Sequence, residues 1–270
     1  MKTFLVPDDT NLKDFTDSVY PQGSFYFDTL LKRKDIKVNG VRAGKNVPVK
    51  RGDEIIYYTN AKQESKPSHN IVYEDENIYV ADKFSGVSSE GLFSELSSKG
   101  EFYAVHRLDR NTQGLIIYAK NKQSADVLIE AFKDKKIDKT YIALCKNCFK
   151  DRQAKLYAYL KKDEKQAKVK VLEKSEKGAE EIITEYCVEE DLGDIAYVKI
   201  NLHTGKTHQI RAHMSFIDCP VLGDEKYGDE ALNKKYAARR QRLIAKQLKF
   251  NLDGKLSYLN NKNFESSFDL

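Results

Sequence analysis

The spacing of apolar residues along the chain predicts several strands and a few helices. Residues 115–119 form a continuous apolar run, which is typical of a strand buried on both faces. Residues 196–202 alternate between apolar and polar side chains, as in a strand with one buried face. Apolar residues within 124–135 recur at helical spacing. The chain is therefore predicted to combine helices and strands.

Weaker patterns add further elements on both sides of the apolar run. Residues 71–73 and 78–81 are predicted strands around an Asp-Glu-Asn turn. Residues 150–180 are rich in lysine and glutamate and are predicted to be extended or hairpin segments. The remaining predictions are a strand at 139–144, the start of a helix within 202–214, a loop at 219–229, and a basic helix-to-strand segment at 240–252 that ends the globular part.

Residues 1–60 are predicted to form a small separate unit, which we call the front unit. A helix begins near residues 29–34, and two short strands, 36–38 and 41 onward, are joined by the tight turn Asn39-Gly40. A last strand covers residues 54–58. Residues 61–70 are polar, with one proline and two serines, and are predicted to be a linker. Residues 71–270 then form the main domain.

Positive charge is concentrated in two segments, although the net charge of the whole chain is only +5. Residues 32–51 contain eight basic residues and one acid, and residues 234–249 contain seven basic residues and no acid. Two such patches suit a polyanionic partner, while either patch taken alone favours a solvated lysine-rich face. The candidate RNA-binding residues in the front unit are Lys32, Arg33, Lys34, Lys37, Arg42 and Lys45.

Composition restricts the location and the cysteine chemistry. No stretch approaches the roughly 20 apolar residues of a membrane helix, and the first residues lack the apolar run of a signal peptide, so we expect a cytoplasmic protein without membrane contact. Cys145 and Cys148 form a CxxC pair, but Cys187 and Cys219 do not supply a second pair. Reduced thiols are therefore favoured over a zinc site.

The strongest candidate for chemistry immediately precedes the buried strand. In the sequence HRLDRNTQG, Asp109 lies between Arg107 and Arg110, and Gly114 joins this polar group to the strand. Two nearby guanidinium groups favour the ionised form of a carboxylate. Held at a sheet edge, such an acid suits a nucleophile or a base, although a surface salt-bridge cluster explains the same residues. Arg211 is a candidate ion-pair partner for Asp109.

Several motifs, taken in order, resemble those of the RluA-type pseudouridine synthases. They are HRLD with Thr112 and Gly114, then KTY at 139–141, GKTHQIRAH at 205–213 and VLGDEKYG at 221–228. The resemblance runs from about residue 71 to the C-terminus. The KDIKVNG and VKRGDEI segments of the front unit resemble the S-four-like RNA-binding fold, a common partner of this domain. The chain departs from the usual motif residues at Gln113, Lys206 and 82–86.

This resemblance implies a fold and a role for several residues. The expected fold is α+β: a mixed, mainly antiparallel catalytic sheet with flanking helices and a central cleft, preceded by a small α+β RNA-binding domain. Asp109 resembles the essential aspartate, Tyr141 the tyrosine that packs against the target uracil, and Arg211 the arginine that pairs with the aspartate. Residues implied to bind substrate are Arg107, which would fill the gap left by the flipped base, Leu222 as an apolar wall, and His106, Thr112, His208 and Gln209.

The implied function is isomerisation of uridine to pseudouridine in RNA, with large-subunit ribosomal RNA as the expected target. Transfer RNA is the alternative target, and a non-catalytic RNA-binding or ribosome-assembly protein is the alternative class. A hydrolase using Asp109 with a histidine lacks a second carboxylate motif. Because the reaction involves no net redox change or hydrolysis, no cofactor is expected, and the histidine spacing argues against a metal. We expect a monomer. The residues leave open whether Asp109 attacks ribose or removes a ribose proton.

Overall fold

The computed structural model describes residues 1–163 and 168–270. One large sheet with helices on its faces follows a smaller α+β front unit, which confirms the predicted fold class. No helix in the described part of the chain is long and apolar enough to cross a lipid bilayer. The elements of the front unit are β1 Lys2–Leu5, β2 Thr10–Asn11, α1 Leu12–Val19, α2 Pro21–Phe25, α3 Phe27–Arg33, β3 Ile36–Val38, β4 Val41–Ala43, β5 Pro48–Val49 and β6 Glu54–Tyr57.

The front unit contains more helix than the sequence indicated. Asn11 caps α1 by accepting a hydrogen bond from the backbone of Asp14 (2.9 Å), and α3 ends where Lys34 adopts a left-handed conformation. The predicted turn is confirmed, since Asn39 and Gly40 both have positive φ and join β3 to β4. Strands β1, β6, β3 and β4 form one antiparallel sheet, and β2 pairs with β5.

The segment expected to be a linker is partly ordered into regular structure. Helix α4, Ala61–Glu64, begins with a capping box in which Asn60 and Gln63 exchange side-chain and backbone hydrogen bonds of 2.9 Å. Strand β7 already begins at His69. The polar composition of residues 61–70 therefore reflects a capped helical turn as well as a connection.

The main domain is built on a sheet that, in the described part of the chain, has eleven strands. Its path is β13-β12-β14-β15-β11-β16-β10-β8-β7, with β9 beside β10 and β17 beside β16. The elements are β7 His69–Glu74, β8 Ile78–Lys83, α5 Ser89–Ser97, β9 Tyr103–Ala104, β10 Gln113–Ala119, α6 Lys122–Lys133, β11 Ile137–Lys146, β12 Gln153–Asp163, β13 Lys168–Leu172, β14 Glu180–Asp191, β15 Ile195–Leu202, α7 Gln209–Phe216, α8 Glu230–Lys235, β16 Leu243–Phe250 and β17 Phe264–Glu265.

One parallel contact joins the two halves of this mainly antiparallel sheet. Strand β16 pairs antiparallel with β11 on one side and parallel with β10 on the other. Ala245 on β16 is the register partner of both Gly114 and Tyr141. Strand β16 therefore lies between β10, which follows the Asp109 loop, and β11, which carries Tyr141, and Ala245 pairs with both strands.

The central strands are buried on both faces, as the apolar run in residues 115–119 predicted. Ile116 and Tyr118 belong to a core on one face, whereas Leu115 and Ile117 belong to a second core under α6. All four side chains are fully buried. This alternation fixes the register of β10, because a slip by one residue would exchange the two faces.

The C-terminal prediction was wrong in two respects. Residues 240–242 precede β16 without forming a helix, and the nearest helix, α8, ends at Lys235. The packed structure also continues beyond residue 252 with a 3-10 helix, Gly254–Asn261, and with β17. The buried carboxylate of Asp82 accepts hydrogen bonds from Ser266 (2.7 Å) and Ser267 (2.8 Å), which fastens the chain end to β8. Such contacts leave no periodic pattern in the sequence.

The predicted hairpin in the lysine-rich segment is present, since β12 pairs with β13 from Tyr159 to Asp163. Residues 164–167, which the prediction also covered, lie outside the described residues.

The expected loop at residues 219–229 is present and touches the sheet through a bridge between Cys145 and Val221.

Candidate active site

Asp109 lies in a loop whose position is set by Gly114 at the start of β10. Gly114 has a φ of +108°, and a Cβ atom built there would lie 2.3 Å from the backbone oxygen of Ala245. Only glycine permits this backbone conformation together with this close approach. The predicted joint therefore has a physical cause: it brings the Asp109 loop directly against the central strand.

The carboxylate of Asp109 is held by Arg211, as the sequence suggested. Nη1 of Arg211 donates to Oδ2 of Asp109 over 2.9 Å. Arg211 lies on α7, and its remaining nitrogens Nε and Nη2 donate to both oxygens of Asp224, at 2.6 and 3.0 Å. The two hydrogen bonds to Asp224 fix the plane of the Arg211 guanidinium group. The third hydrogen bond of Arg211, to Asp109, therefore holds that carboxylate in a defined position.

Asp224 was not singled out from the sequence, although it lies within the VLGDEKYG motif. Its side chain is inaccessible to solvent. Burial by itself raises the pKa of Asp224, but hydrogen bonds from Arg211 and from the backbone nitrogens of Tyr227 and Lys226 outweigh it, so the pKa is lowered overall. Arg211 is itself kept charged, because its two carboxylate partners outweigh burial and raise its pKa.

Tyr141 lies across the pocket from this network, on β11. It follows a bulge between Thr140 and Tyr141, and its side chain is buried. Burial, together with the charge of Asp109, raises the pKa of the Tyr141 phenol. The ring is thus neutral and lies close enough to Asp109 to be affected by its charge.

These groups line one pocket with a volume of about 500 Å³. Eight of the nine predicted catalytic and substrate-binding residues belong to its wall: His106, Arg107, Asp109, Thr112, Tyr141, His208, Gln209 and Arg211. Leu222 is buried but does not line this pocket. Its backbone instead links β11 to the segment before β16, through hydrogen bonds of 2.8 Å with Leu144 and with Arg242. Apolar wall is supplied by Leu202, Ile210 and Leu243.

His106 is a neutral, fixed wall of the pocket. Its Nε2 accepts a hydrogen bond from the backbone nitrogen of Ile117 (3.0 Å), and its ring stacks on Phe132 at 4.5 Å. Burial, assisted by the charge of Lys139, lowers the pKa of His106 to about 3. At neutral pH this residue can contact a base or a sugar, but it offers no positive charge to a phosphate.

Arg107, in contrast, lies at the exposed edge of the pocket wall. Its guanidinium pairs with Glu90 on α5 at 3.1 Å. It also borders a second groove, lined by α5 and residues 104–107. The pair is exposed on both sides, so it constrains the arginine only weakly.

Three other predicted residues are held by hydrogen bonds around the pocket. Thr112 Oγ1 accepts a hydrogen bond from Gln241, whose Oε1 is the one buried side-chain polar atom among the described residues that has no partner. The side-chain amide of Gln209 accepts a hydrogen bond from Thr204 Oγ1 (2.8 Å) and donates one to Thr184 Oγ1 on β14 (3.0 Å). His208 has a positive φ at the start of α7 and contacts the Tyr227 hydroxyl at 3.0 Å. These contacts shape the wall.

Buried Lys83 is a second residue that sequence reasoning missed. Its Nζ donates to the backbone oxygens of Val87 (2.7 Å) and Arg110 (3.1 Å), which places its amino group beneath the Asp109 loop. Burial lowers the pKa of Lys83 to about 7, although the charge of Asp109 opposes this. In the sequence, Lys83 stands in the segment 82–86, which departs from the family motif. Nothing in that segment indicated that Lys83 would support the Asp109 loop.

The predicted basic patches differ in how their side chains are used. Lys32, Arg33, Lys34, Arg42 and Lys45 are exposed on the front unit, and Lys37 and Arg42 lie over the ring of Tyr58. In the second patch, Lys235 pairs with Asp194, and Lys246 donates to the backbone oxygen of Ser266. The first patch therefore offers more uncommitted charge.

The cysteines and histidines do not build a metal centre in the described part of the chain, where no cluster of three potential ligands occurs. The four cysteines are free thiols, two of them buried. His213, close to His208 in sequence, points to Thr184 Oγ1 at 3.0 Å, away from the pocket.

Comparison with known proteins gives the same family for most of the chain. Residues 62–216 match the family described as RNA pseudouridylate synthase. Ribosomal large subunit pseudouridine synthase D of Borreliella burgdorferi is 30% identical, over 80% of this chain and 77% of that protein. An uncharacterized RNA pseudouridine synthase of Mycoplasma capricolum is 32% identical, over 86% of this chain and 85% of that protein.

Solved structures agree with the fold. Human RNA Pseudouridylate Synthase Domain Containing 4 superimposes with a TM-score of 0.61 at 24% identity, over 74% of this chain and 88% of that chain. The family match covers more than half of the sequence and contains Asp109, Tyr141 and Arg211. This protein therefore belongs to the RluA-type RNA pseudouridine synthases, which are isomerases.

Proposed function

We propose that the protein isomerises specific uridines in large-subunit ribosomal RNA and that Asp109 is its catalytic aspartate. The observation that carries the proposal is the fixed pair of Asp109 and Arg211 facing Tyr141 across one pocket. Several relatives at about 30% identity are named ribosomal large subunit pseudouridine synthases C and D. These names support the choice of RNA.

The geometry supports a role for Asp109 at the sugar of a flipped uridine. Its Oδ2 accepts the hydrogen bond from Arg211, which leaves Oδ1 available for the substrate. This oxygen can attack the anomeric carbon of ribose or remove a ribose proton. If it attacks, its bond to the anomeric carbon forms as the bond from ribose to N1 breaks, and that new bond breaks when C5 of the turned uracil bonds to the same carbon. If it removes a ribose proton, the bond to N1 breaks, C5 of the turned uracil bonds to the ribose, and Asp109 returns the proton. The C5 proton is lost, and N1 finally carries a proton.

Tyr141 and Arg107 would make the flipped state accessible. Extruding a base from its stack costs a few kcal/mol. Stacking of the uracil on the neutral ring of Tyr141 can return about 1–3 kcal/mol. Exposed Arg107 would leave Glu90 and occupy the gap in the RNA stack. The predicted wall residues His106, Thr112, His208 and Gln209 would bound the base and the sugar.

The front unit is the proposed RNA grip, with residues 1–60 as an S-four-like domain. Its exposed cations would bind phosphates without reading bases. The same proposal includes a monomer acting in the cytoplasm. The partial commitment of the second basic patch to Asp194 and to the chain end favours the front unit as the main grip.

The test uses RNA transcripts carrying tritium at C5 of uridine, because isomerisation releases that label into water. We expect release from large-subunit ribosomal RNA by the wild type and none by Asp109→Asn, with RNA binding retained. Release from a transfer RNA transcript alone would move the target to transfer RNA. Equal release by the variant would refute the role of Asp109. No release from RNA of either class, with binding intact, would favour the binding-protein alternative.

A further inference from the structure

We propose that Asp17 of the front unit is a positioning residue for the Asp109 loop, so that the front unit forms part of the active-site scaffold as well as an RNA grip. The proposal rests on the function proposed above for Asp109. Asp17 lies outside residues 62–216, the part of the chain that matches the family. It is therefore not among the motif residues from which the active site was recognised.

The link begins with an ion pair between Asp17 on α1 and Arg110, the residue that follows Asp109. Arg110 Nη1 lies 2.6 Å from Asp17 Oδ2, and Arg110 Nη2 donates to Ser24 Oγ over 3.1 Å. Ser24 in turn donates to Asp17 Oδ1 over 2.5 Å. Asp17 also pairs with Lys13. Two positions of the front unit, on α1 and α2, thus hold one guanidinium group.

Arg110 is fixed at its other end by the main domain. Its Nε donates to the backbone oxygen of Gly86 (3.1 Å), and its own backbone oxygen accepts from the nitrogen of Gly86 (2.9 Å) and from Lys83. A displacement of the Arg110 side chain is therefore transmitted to the loop backbone. Asp109 is the next residue along that backbone.

The surface around this link is closely packed, which prevents α1 from sliding over the main domain. Ser88 caps α5 by accepting from the backbone of Gly91 (2.9 Å) and donates its hydroxyl proton to the backbone oxygen of Asp17. A Cβ atom at Gly91 would lie 2.7 Å from the same Asp17 oxygen. On the other side, Lys66 lies over the ring of Phe25 at 3.7 Å. These contacts near Asp17 hold α1 at a fixed position relative to the Asp109 loop.

A contribution to stability alone is the simpler role for such a pair, and the structure separates the two. The side chain of Arg110 is 37% exposed and that of Asp17 is 14% exposed, so solvent screens the pair from the arginine side and its contribution to stability is modest. A catalytic group, in contrast, can lose much of its rate when it shifts by about 1 Å. Removing the Asp17 charge should therefore affect the reaction more than the fold.

The test compares Asp17→Asn, Asp17→Glu and Arg110→Gln with the double variant Asp17→Asn/Arg110→Gln in the full chain. Asp28→Asn, an exposed acid of α3 with the same charge change, is the matched control. The measured quantities are the single-turnover rate of tritium release at saturating large-subunit ribosomal RNA transcript, the dissociation constant for that RNA, and the melting temperature. Asp109→Asn reports separately on the proposed function.

We expect Asp17→Asn to lower the single-turnover rate roughly tenfold with little change in RNA affinity. Asp17→Glu should recover most of the rate, Asp28→Asn should behave as the wild type, and the double variant should be no slower than Arg110→Gln. A rate for Asp17→Asn equal to that of Asp28→Asn overturns the inference, as does a loss confined to RNA affinity or a fall in melting temperature that explains the lost rate. If Asp109→Asn still releases tritium, the proposed function fails instead.

Discussion

Asp109 and Asp224 accept hydrogen bonds from the same guanidinium group, that of Arg211. Asp224 takes two of the bonds and is buried, whereas Asp109 takes one and faces the pocket. The two carboxylates therefore have different structural roles, although both pair with Arg211. Asp224 orients Arg211, and Arg211 orients the acid that would contact the substrate.

Replacing Asp224 should therefore impair catalysis, although Asp224 does not line the pocket. Asp224→Asn removes the buried negative charge that pairs with Arg211. Breaking a buried ion pair costs about 3–5 kcal/mol of stability. We expect a lower denaturation midpoint and a single-turnover rate reduced by one to two orders of magnitude, about what a small displacement of a catalytic group causes. Asp194→Asn, which breaks the exposed pair with Lys235, should leave both quantities unchanged. Wild-type rates in Asp224→Asn would show that Arg211 needs no second carboxylate.

Gly114 should tolerate no side chain, because its Cβ would meet the backbone of Ala245. Gly114→Ala combines strain at positive φ with a backbone clash, and we expect a loss of about 2–4 kcal/mol in the free energy of unfolding. Gly52→Ala is the matched control, since Gly52 also has positive φ but nothing lies near its missing Cβ. Urea unfolding of the two variants should differ clearly. Equal losses would mean that the close approach to β16 is unimportant.

The stability of the protein should fall as the pH drops below about 6.5, partly because of His213. Burial lowers the pKa of His213 to about 4, so between that value and the ordinary histidine pKa the unfolded chain binds a proton that the folded chain does not. The free energy of unfolding then decreases by up to about 1.4 kcal/mol per pH unit from this residue. His213→Asn should reduce that slope between pH 6.5 and 5, measured by urea unfolding at each pH. An unaltered slope would contradict a neutral buried imidazole.

The charge of the front unit should control the salt dependence of RNA binding. Lys34, Lys37 and Arg42 cluster near the hairpin of β3 and β4, and their replacement by glutamine removes three candidate phosphate contacts. We expect weaker binding and a slope of log affinity against log salt that is less steep by roughly two, as expected for about 0.7 per lost contact to single-stranded RNA. The triple substitution of Lys161, Lys174 and Lys177 is the charge-matched control. An unchanged slope would place the RNA grip elsewhere.

Sequence patterns predicted most of the sheet because its strands obey simple burial rules. The run at residues 115–119 became the centre of β10, and the alternating residues 196–202 lie within β15 Ile195–Leu202. The pocket residues were found for a different reason, since their motifs could be compared with a family. Of the nine residues predicted from these motifs to be catalytic or to bind substrate, eight line the pocket. Their roles remain predictions.

The features that were missed depend on contacts between distant segments. Asp82 and Asp224 are acids, which normally favour solvent, and only their partners explain why they are buried. The pair of Asp17 and Arg110 joins positions that no local pattern connects. Leu222 is a different case: an apolar residue inside a recognised motif was expected to line the pocket, and in the structure it is buried without belonging to the pocket wall.

The double pairing of Ala245 has a consequence for how the protein is made. During synthesis the N-terminal residues leave the ribosome first, so Gly114 and Tyr141 are both exposed long before β16 is translated. The nascent chain cannot close its sheet until residues 243–250 have emerged, because that strand lies between the other two. Enzymatic competence should therefore arrive abruptly, and only after residues 243–250 have emerged from the ribosome.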